Sequence, residues 1–507
     1  MPDDVASDAA ASGQDARRFD ASFVTSLVWT GVAKGGSQLI SWLATFVVAR
    51  LLTPEDYGLV GMAGVFLGVV TILSEFGLGV TIITLRELTE HQLAQLNTVA
   101  VGLGVACFAA CCAAAVPLGL FFHSEPLPLI VVVLGITFPL SAFRIVPNAL
   151  LQKDLRFRRL ALLETVNVLV LSVTMVILAQ AGFRYWTLVA GAIVSAIVTS
   201  VQTIASRPVP FRWPKWAQLE RALTFTRDQL GGTVLWYWYS NADRAVAGRL
   251  LGPADLGVYS MAALTATSIS EKVMMLLTRI TPAYFSALQD DSAALKRYLL
   301  RLTEILSAVL FPILIGFALV ADHIVHLALG PKWIGAIGPL RLLAISAAIN
   351  STTPLLARVL TVRGQNRYLL QIAIGLAIVM PICFVVGSKW GPVGIAAVWV
   401  TVFPLTRIPV LTRVVPSIGL SAIEYLKSFW PATSGSLAMA VAVLALRLAL
   451  PASIPLLASV ALQVALGAGV YFFVILGFHR DRVEVLIQLA KRWRSRGAVP
   501  AGSAAAS

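Results

Sequence analysis

The 507-residue chain carries 39 Lys and Arg against 25 Asp and Glu, a formal net charge of +14, yet only 13% of its residues are charged and 58% are hydrophobic. With a mean hydropathy of +0.83, so little polar surface cannot clothe a soluble globule, and the chain is read as a membrane protein. The cations are spread over short loops rather than gathered on one face, which sets nucleic acid aside as a partner.

Residues 1–20 are polar and acidic with no short apolar core ahead of a cleavage site, so they are expected to form a cytoplasmic tail, the first helix itself directing insertion. Apolar runs follow near 25–49, 58–83, 97–122, 127–150, 160–181, 185–206, 223–250, 256–282, 302–321, 336–362, 368–387, 391–412, 428–449 and 454–478. Each is long enough to cross a bilayer as a helix, and none alternates like a transmembrane strand. The expected fold is all-α and polytopic with about fourteen transmembrane helices.

In the first run, Lys34 stands among small residues (Ala33, Gly35, Gly36) with Gln38 one turn further on the same face, a pattern that suits a cavity lining. At its end begins Arg50-Leu51-Leu52-Thr53-Pro54-Glu55-Asp56-Tyr57-Gly58-Leu59-Val60-Gly61-Met62-Ala63. The spacing predicts Thr53 as the cap of a helix starting at Pro54, with Glu55 and Asp56 answering the helix dipole. Glu75 follows at membrane depth in the second run. Cys107, Cys111 and Cys112 sit in the third run and Cys383 in the eleventh; with no His or carboxylate at ligand spacing they read as small hydrophobes, and neither a metal nor a cofactor is expected.

After six runs comes a polar stretch, and in the seventh Trp236, Tyr237, Trp238 and Tyr239 follow one another too deep for an interfacial belt. Four successive rings cover every face of a helix, so one or two reach a cavity; Trp236 and Tyr239 are the candidates to stack on sugar, with lipid-facing and helix-packing roles as the alternatives for any given ring. Asp243 and Arg244 come next, about 100° apart on the helix. The motif then returns, 199 positions on, as Arg249-Leu250-Leu251-Gly252-Pro253-Ala254-Asp255-Leu256-Gly257-Val258-Tyr259-Ser260-Met261-Ala262. The chain is therefore an internal duplication, and an even helix count per copy gives two lobes of the same orientation. The expected organisation is a tail (1–20), an N-lobe of six helices (21–206), a cytoplasmic linker (207–222), a C-lobe of six helices (223–415), two extra helices (416–478) and a basic tail (479–507), with a central cavity between the lobes. In the last of these, Arg480 to Arg496 has the pattern of an amphipathic helix on an anionic membrane surface.

Loop charge sets the topology. Loops on the N-terminal side hold 24 cations and the opposite loops 6, which places both termini in the cytoplasm. The charges at membrane depth are Lys34, Glu75, Arg144, Asp243, Arg244, Glu271, Lys272, Arg279, Arg341, Arg358 and Arg407, eight positive and three negative. Each costs about 2.5 to 3.5 kcal/mol at a helix centre unless paired or in a watery cavity. An excess of cations there suits a phosphate or pyrophosphate, and internal pairing, for instance of Glu75 with Lys34, is the competing account for any one of them. Lys34, Arg244 and Arg341 are the candidates to neutralise an anionic ligand, Glu75 and Asp243 to couple a proton or cation, and Arg50 and Arg249 to stand at the outer mouths of equivalent helices.

Asn148 to Ala161, Gly182 to Val189, Asn241 to Gly252 and Leu256 to Tyr259 together resemble the signature segments of the Wzx-type polysaccharide flippases, most closely the colanic-acid-exporter branch of the polysaccharide transporter family, over about residues 25–480. The resemblance implies two six-helix lobes, alternating access in the bacterial cytoplasmic membrane, and a polyprenyl-pyrophosphate-linked oligosaccharide as cargo. Besides that substrate and the membrane lipids, a polysaccharide polymerase and export machinery are the candidate partners. The rivals are a cation-coupled multidrug exporter, disfavoured by a first helix bearing Lys34 and no acid; a lipid II flippase; and a membrane polysaccharide polymerase, disfavoured because the loops are too short for a catalytic segment and hold no carboxylate pair, metal cluster or phosphate loop. The chain is accordingly not expected to be an enzyme.

Overall fold

The computed structural model describes residues 35–85, 88–278, 281–451 and 453–480, and every element among them is a helix. Lys34, Arg279, the N-terminal tail and the amphipathic stretch after Arg480 lie outside the described residues, as do the side chains of Glu75 and Lys272. Ten of the described helices are long and apolar enough to cross a membrane. Their apolar faces are often open: only 6% of the span Phe157–Gln180 is buried within the protein, and Leu120, Phe473 and Leu448 are exposed by 72, 72 and 90%. Such side chains are stable only against hydrocarbon.

The chain divides into two compact units, Met1–Gly257 and Val258–Ser507. In the first, helix α1 (35–51) leads into α2 (Pro54–Thr71), whose start is built as its residues predict. Thr53 Oγ1 accepts from the Asp56 amide while the Asp56 carboxylate accepts from the Thr53 amide. A π-helical turn, Ile72–Phe76, breaks the helix before α3 (Gly77–Thr84), so Glu75 stands on an irregular turn, a form that recurs at functional sites. Then come α4 (Glu90–Phe122), α5 (Leu127–Gly135), α6 (Thr137–Lys153), α7 (Phe157–Gln180), α8 (Trp186–Ser206) and α9 (Trp216–Leu250). Leu78, Ile82, Leu96, Val146 and Leu219 form a core joining α3, α4, α6 and the start of α9.

Residues 207–215, within the expected linker, form no regular element and are clipped to the first turns of α4. Buried Asn97 donates to the carbonyl of Val209 at 3.2 Å, and buried Gln95 accepts from the Lys215 amide at 3.3 Å. The join is thus a fitted strap, its backbone groups satisfied by side chains of another helix.

The division between the units falls inside α10 (Pro253–Thr278), which is followed by α11 (Thr281–Ala287), α12 (Ser292–Leu319), α13 (Ala321–Ile324), α14 (Ile337–Asn350), α15 (Thr353–Val362), α16 (Asn366–Gly387), α17 (Gly391–Leu405), α18 (Ile408–Ser417), α19 (Ala422–Lys427), α20 (Trp430–Ala449) and α21 (Leu456–Phe478). In the second unit Leu299, Leu306, Leu310, Leu356, Val359 and Val414 pack α12, α15 and α18 together. α20 lies on α21 where Gly435 meets the ring of Tyr471, and the Tyr471 hydroxyl donates to the Ala308 carbonyl of α12 at 2.7 Å. Small residue, close approach and a polar tip closing the contact are the usual means of holding helices together where lipid removes the hydrophobic drive.

Candidate functional site

α9 and α10 coincide with the expected seventh and eighth runs but are not among the ten apolar spans, because α9 carries Asp243, Arg244 and Arg249 in its apolar half and α10 carries Glu271 and Lys272. α9 is seated in the first unit by its aromatic stretch. The Tyr237 hydroxyl donates to the carbonyls of Gly64 and Val65 on α2, at 3.1 and 3.2 Å. It fits because Gly68 has no side chain: a Cβ there would stand 1.8 Å from the hydroxyl oxygen. Trp236 and Trp238 remain about half exposed and Tyr239 is half-buried. Tyr237, which was not among the sugar-stacking candidates, is thus fixed to another helix.

One turn on, Asp243 is buried and its Oδ1 accepts from the Arg244 amide at 2.7 Å. The Arg244 guanidinium is half-buried and donates to Asn241 Oδ1 at 2.7 Å. The adjacent acid and base thus point apart, as helical geometry requires, and Arg244 is held toward the Asn241 side. On α1, Gln38 is half-buried.

The two copies of the repeated motif meet. A Cβ on Gly58 would lie 1.6 Å from the carbonyl oxygen of Pro253, and one on Gly257 would lie 1.7 Å from the carbonyl oxygen of Pro54. α2 and α10 therefore cross backbone to backbone at their first turns, each glycine against the other helix's N1 proline. The relation is reciprocal and follows from the duplication. Asp56, 1% exposed, besides capping α2 accepts from the Tyr185 amide at 3.1 Å and lies 3.5 Å from the Arg184 guanidinium, which braces the start of α2 against the start of α8.

The two outer-mouth candidates differ. Arg249 donates to the ring nitrogen of His123 and stacks over Phe121 at 5.5 Å, whereas Arg50 is exposed. In the second unit Arg341 does not stand alone: Asp322 lies 3.4 Å from it and is also bound bidentately by Arg447 at the end of α20. Burial pushes the Asp322 carboxyl up, but His323, Arg447 and Arg341 beside it outweigh this and hold it below the usual carboxylate range. Arg407, at the break between α17 and α18, donates to the Ile349 carbonyl at 2.7 Å and to Asn350. It closes a helix end, a role its place in an apolar run did not reveal. The structure brings Asp243, Arg244, Asn241 and Tyr237 together, and pairs Arg341 with Asp322. Among the described residues no three His, Cys, Asp or Glu side chains are placed to hold a metal.

A family model described as a polysaccharide biosynthesis protein matches residues 47–338. Curated relatives include the lipopolysaccharide biosynthesis protein WzxC of Escherichia coli (strain K12), 25% identical over 393 residues, 76% of this chain and 79% of that protein. They also include the succinoglycan biosynthesis transport protein ExoT of Rhizobium meliloti (strain 1021), 25% identical over 500 residues, 94% of this chain and 97% of that one. Among solved structures, the lipid II flippase MurJ in an inward closed conformation superposes with a TM-score of 0.70 at 12% identity, covering 90% of this chain and 100% of that chain. That likeness gives the fold alone, a bundle of membrane helices.

Proposed function

Since the chain belongs to the polysaccharide biosynthesis protein family, we propose that it is a flippase that carries a lipid-linked oligosaccharide across the cytoplasmic membrane, and that it works by binding and rocking without catalysis. The observation that carries this reading is the near full-length match, 94% of the chain, to a relative named as a transport protein of polysaccharide biosynthesis. The fold shared with a lipid-linked glycan flippase and the charges at membrane depth support it.

The physical problem is a hydrated, anionic headgroup that hydrocarbon excludes. A cationic, watery cavity between two lobes lets the pyrophosphate and sugars pass while the polyprenyl tail stays in lipid. In this account the lobes are the expected six-helix sets, with α20 and α21 added, and both termini face the cytoplasm. Lys34 and Arg244 neutralise the headgroup, Gln38 adds a polar cavity lining, and Trp236 and Tyr239 offer faces to sugar. Glu75, on its π-turn, and buried Asp243 take up a proton or release a cation as the cavity empties. Arg341, partly balanced by Asp322, contributes less free charge than Arg244. Arg50 and Arg249 stand at the outer mouth. The glycine crossing of the repeated motif, which lies within the first compact unit, is in this account the contact that loosens when the cavity turns outward. A polysaccharide polymerase and export machinery then take the delivered unit.

The test is transfer of a fluorescent polyprenyl-pyrophosphate oligosaccharide between leaflets of proteoliposomes, read by quenching from outside. Wild-type protein is expected to accelerate transfer and Lys34→Ala to slow it. Transfer at the protein-free rate rejects the function, while an undiminished Lys34→Ala rate rejects that residue's role alone.

A further inference from the structure

The exposed face of α20 and the segment before it hold none of the residues proposed above for translocation. Two cavities of about 520 and 500 Å³ adjoin there and share Trp430. The first is lined at its polar end by Lys427 and His479, and the second runs along α20 past Leu437 to Val441. Ser434 Oγ and His479 Nε2 are 3.1 Å apart where the two adjoin, and Trp430 lines both.

Trp430, Ser434, Leu437 and Val441 are spaced four, three and four residues apart, so they fall in one stripe. Trp430, Leu437 and Val441 are exposed by 63, 66 and 63%, while Gly435, Met439 and Val443 on the other face are buried against α21. From Trp430 to Val441 the stripe is about 17 Å long at the helical rise, close to half the ~30 Å hydrocarbon thickness. Its length is that of one leaflet, which fits a single acyl chain; a polyprenyl carrier chain is longer than a leaflet and would overrun it.

The polar end distinguishes a site from ordinary lipid contact. Lys427 is exposed. The neighbouring acid Glu424 is bound first by the Lys296 ammonium at 2.7 Å and by the Ser421 amide at 2.9 Å, and its attraction to Lys427 is the smaller one. An ammonium, an imidazole and an amphipathic indole at the mouth of a one-leaflet apolar groove match a phosphodiester above an acyl chain. We propose that the groove formed by Lys427, Trp430, Ser434, Leu437, Val441 and His479 is a binding site for an anionic glycerophospholipid, its phosphate between Lys427 and His479 and one chain along α20.

The experiment is native mass spectrometry of the full chain released from nanodiscs of mixed phosphatidylglycerol and phosphatidylcholine. Wild-type protein is expected to retain phosphatidylglycerol preferentially. Lys427→Gln is expected to lower that retention about fivefold, the equivalent of about 1 kcal/mol per interfacial cation, and His479→Gln to lower it in the same sense. Ala438→Trp, which fills the groove, should abolish it, while Lys389→Gln, at an exposed cation elsewhere, should leave it unchanged. Equal retention of the two lipids, or unchanged retention in Lys427→Gln and Ala438→Trp proteins of wild-type melting temperature, overturns the proposal. Displacement of the phospholipid by polyprenyl phosphate also overturns it, by giving the groove to the carrier tail.

Discussion

Replacing Gly257 by Ala puts a methyl group 1.7 Å from the Pro54 carbonyl oxygen, 2.6 Å from its carbonyl carbon and 3.0 Å from the Gly58 nitrogen. Those atoms are backbone in the first turn of a proline-started, boxed helix, so they cannot turn aside as a side chain would. Relief requires α2 and α10 to separate by about 1.6 Å, the difference from an ordinary carbon to oxygen contact of about 3.3 Å. Overpacking of this kind costs about 1 to 3 kcal/mol, and here the cost falls only on the state in which the helices cross. If the crossing closes the outer side of the cavity, the closed-to-open equilibrium shifts outward about 5- to 150-fold. The assay is labelling of a cysteine at Gln38, in protein otherwise freed of cysteine, by an impermeant maleimide from outside. Gly257→Ala and Gly58→Ala should both raise the rate and slow transport, and Gly64→Ala, whose Cβ meets nothing within 4 Å, should do neither. Unchanged labelling with full transport in both variants would refute the gate.

Tyr237→Phe removes the hydroxyl proton shared between the two α2 carbonyls and is expected to lower stability by about 1 kcal/mol, seen as a lower melting temperature in detergent, while Gly68→Ala, which displaces the ring, should do at least as much. Asp56→Ala should cost about 0.5 to 2 kcal/mol from the lost cap, and more through the Tyr185 and Arg184 contacts; a melting temperature within error of wild type would contradict the bracing role. Asp322→Asn is expected to cost about 1 to 2 kcal/mol, toward the lower end for charge-assisted bonds because both arginines are well exposed. Glu424 is also held below the usual range, by the Lys296 hydrogen bond foremost and then by the Ser421 amide. Both carboxylates are depressed in the folded state, so their stabilisation is complete above the unfolded values near 4 and is lost as pH falls through the lower folded values. Melting scans should therefore be flat from neutral pH to about pH 5 and fall below about pH 4, less steeply in Asp322→Asn.

The all-helical fold was legible because each span is a long apolar run, and the start of α2 because Thr53, Pro54 and Asp56 form their contacts locally. The repeat showed that two equivalent segments exist, but not that they touch. A glycine in an apolar helix reads the same whether it faces lipid or another backbone, and the reciprocal contacts of Gly58 and Gly257 depend on two helices about 200 positions apart. Likewise nothing in Trp236-Tyr237-Trp238-Tyr239 tells which ring is anchored, since that is decided by Gly64 and Gly68 on a different helix. Arg341 reads as an isolated intramembrane cation because Asp322 belongs to a short helix ahead of its own, and Arg447, which completes the cluster, follows more than 100 residues later. The segment 207–215 looks like a plain linker until Gln95 and Asn97, polar residues in the first turns of α4, are seen to satisfy its backbone.

The central claim is that this chain moves a finished, lipid-linked glycan from the inner to the outer leaflet. Deleting it from its source cell and measuring, in the lipid extract and with an impermeant glycosidase on sealed vesicles, which leaflet holds the polyprenyl-linked oligosaccharide tests that claim directly. Accumulation of the completed unit on the cytoplasmic side, reversed by the wild-type chain, is the predicted result. Unpolymerised units accumulating outside, or no change in any lipid-linked glycan, would contradict it.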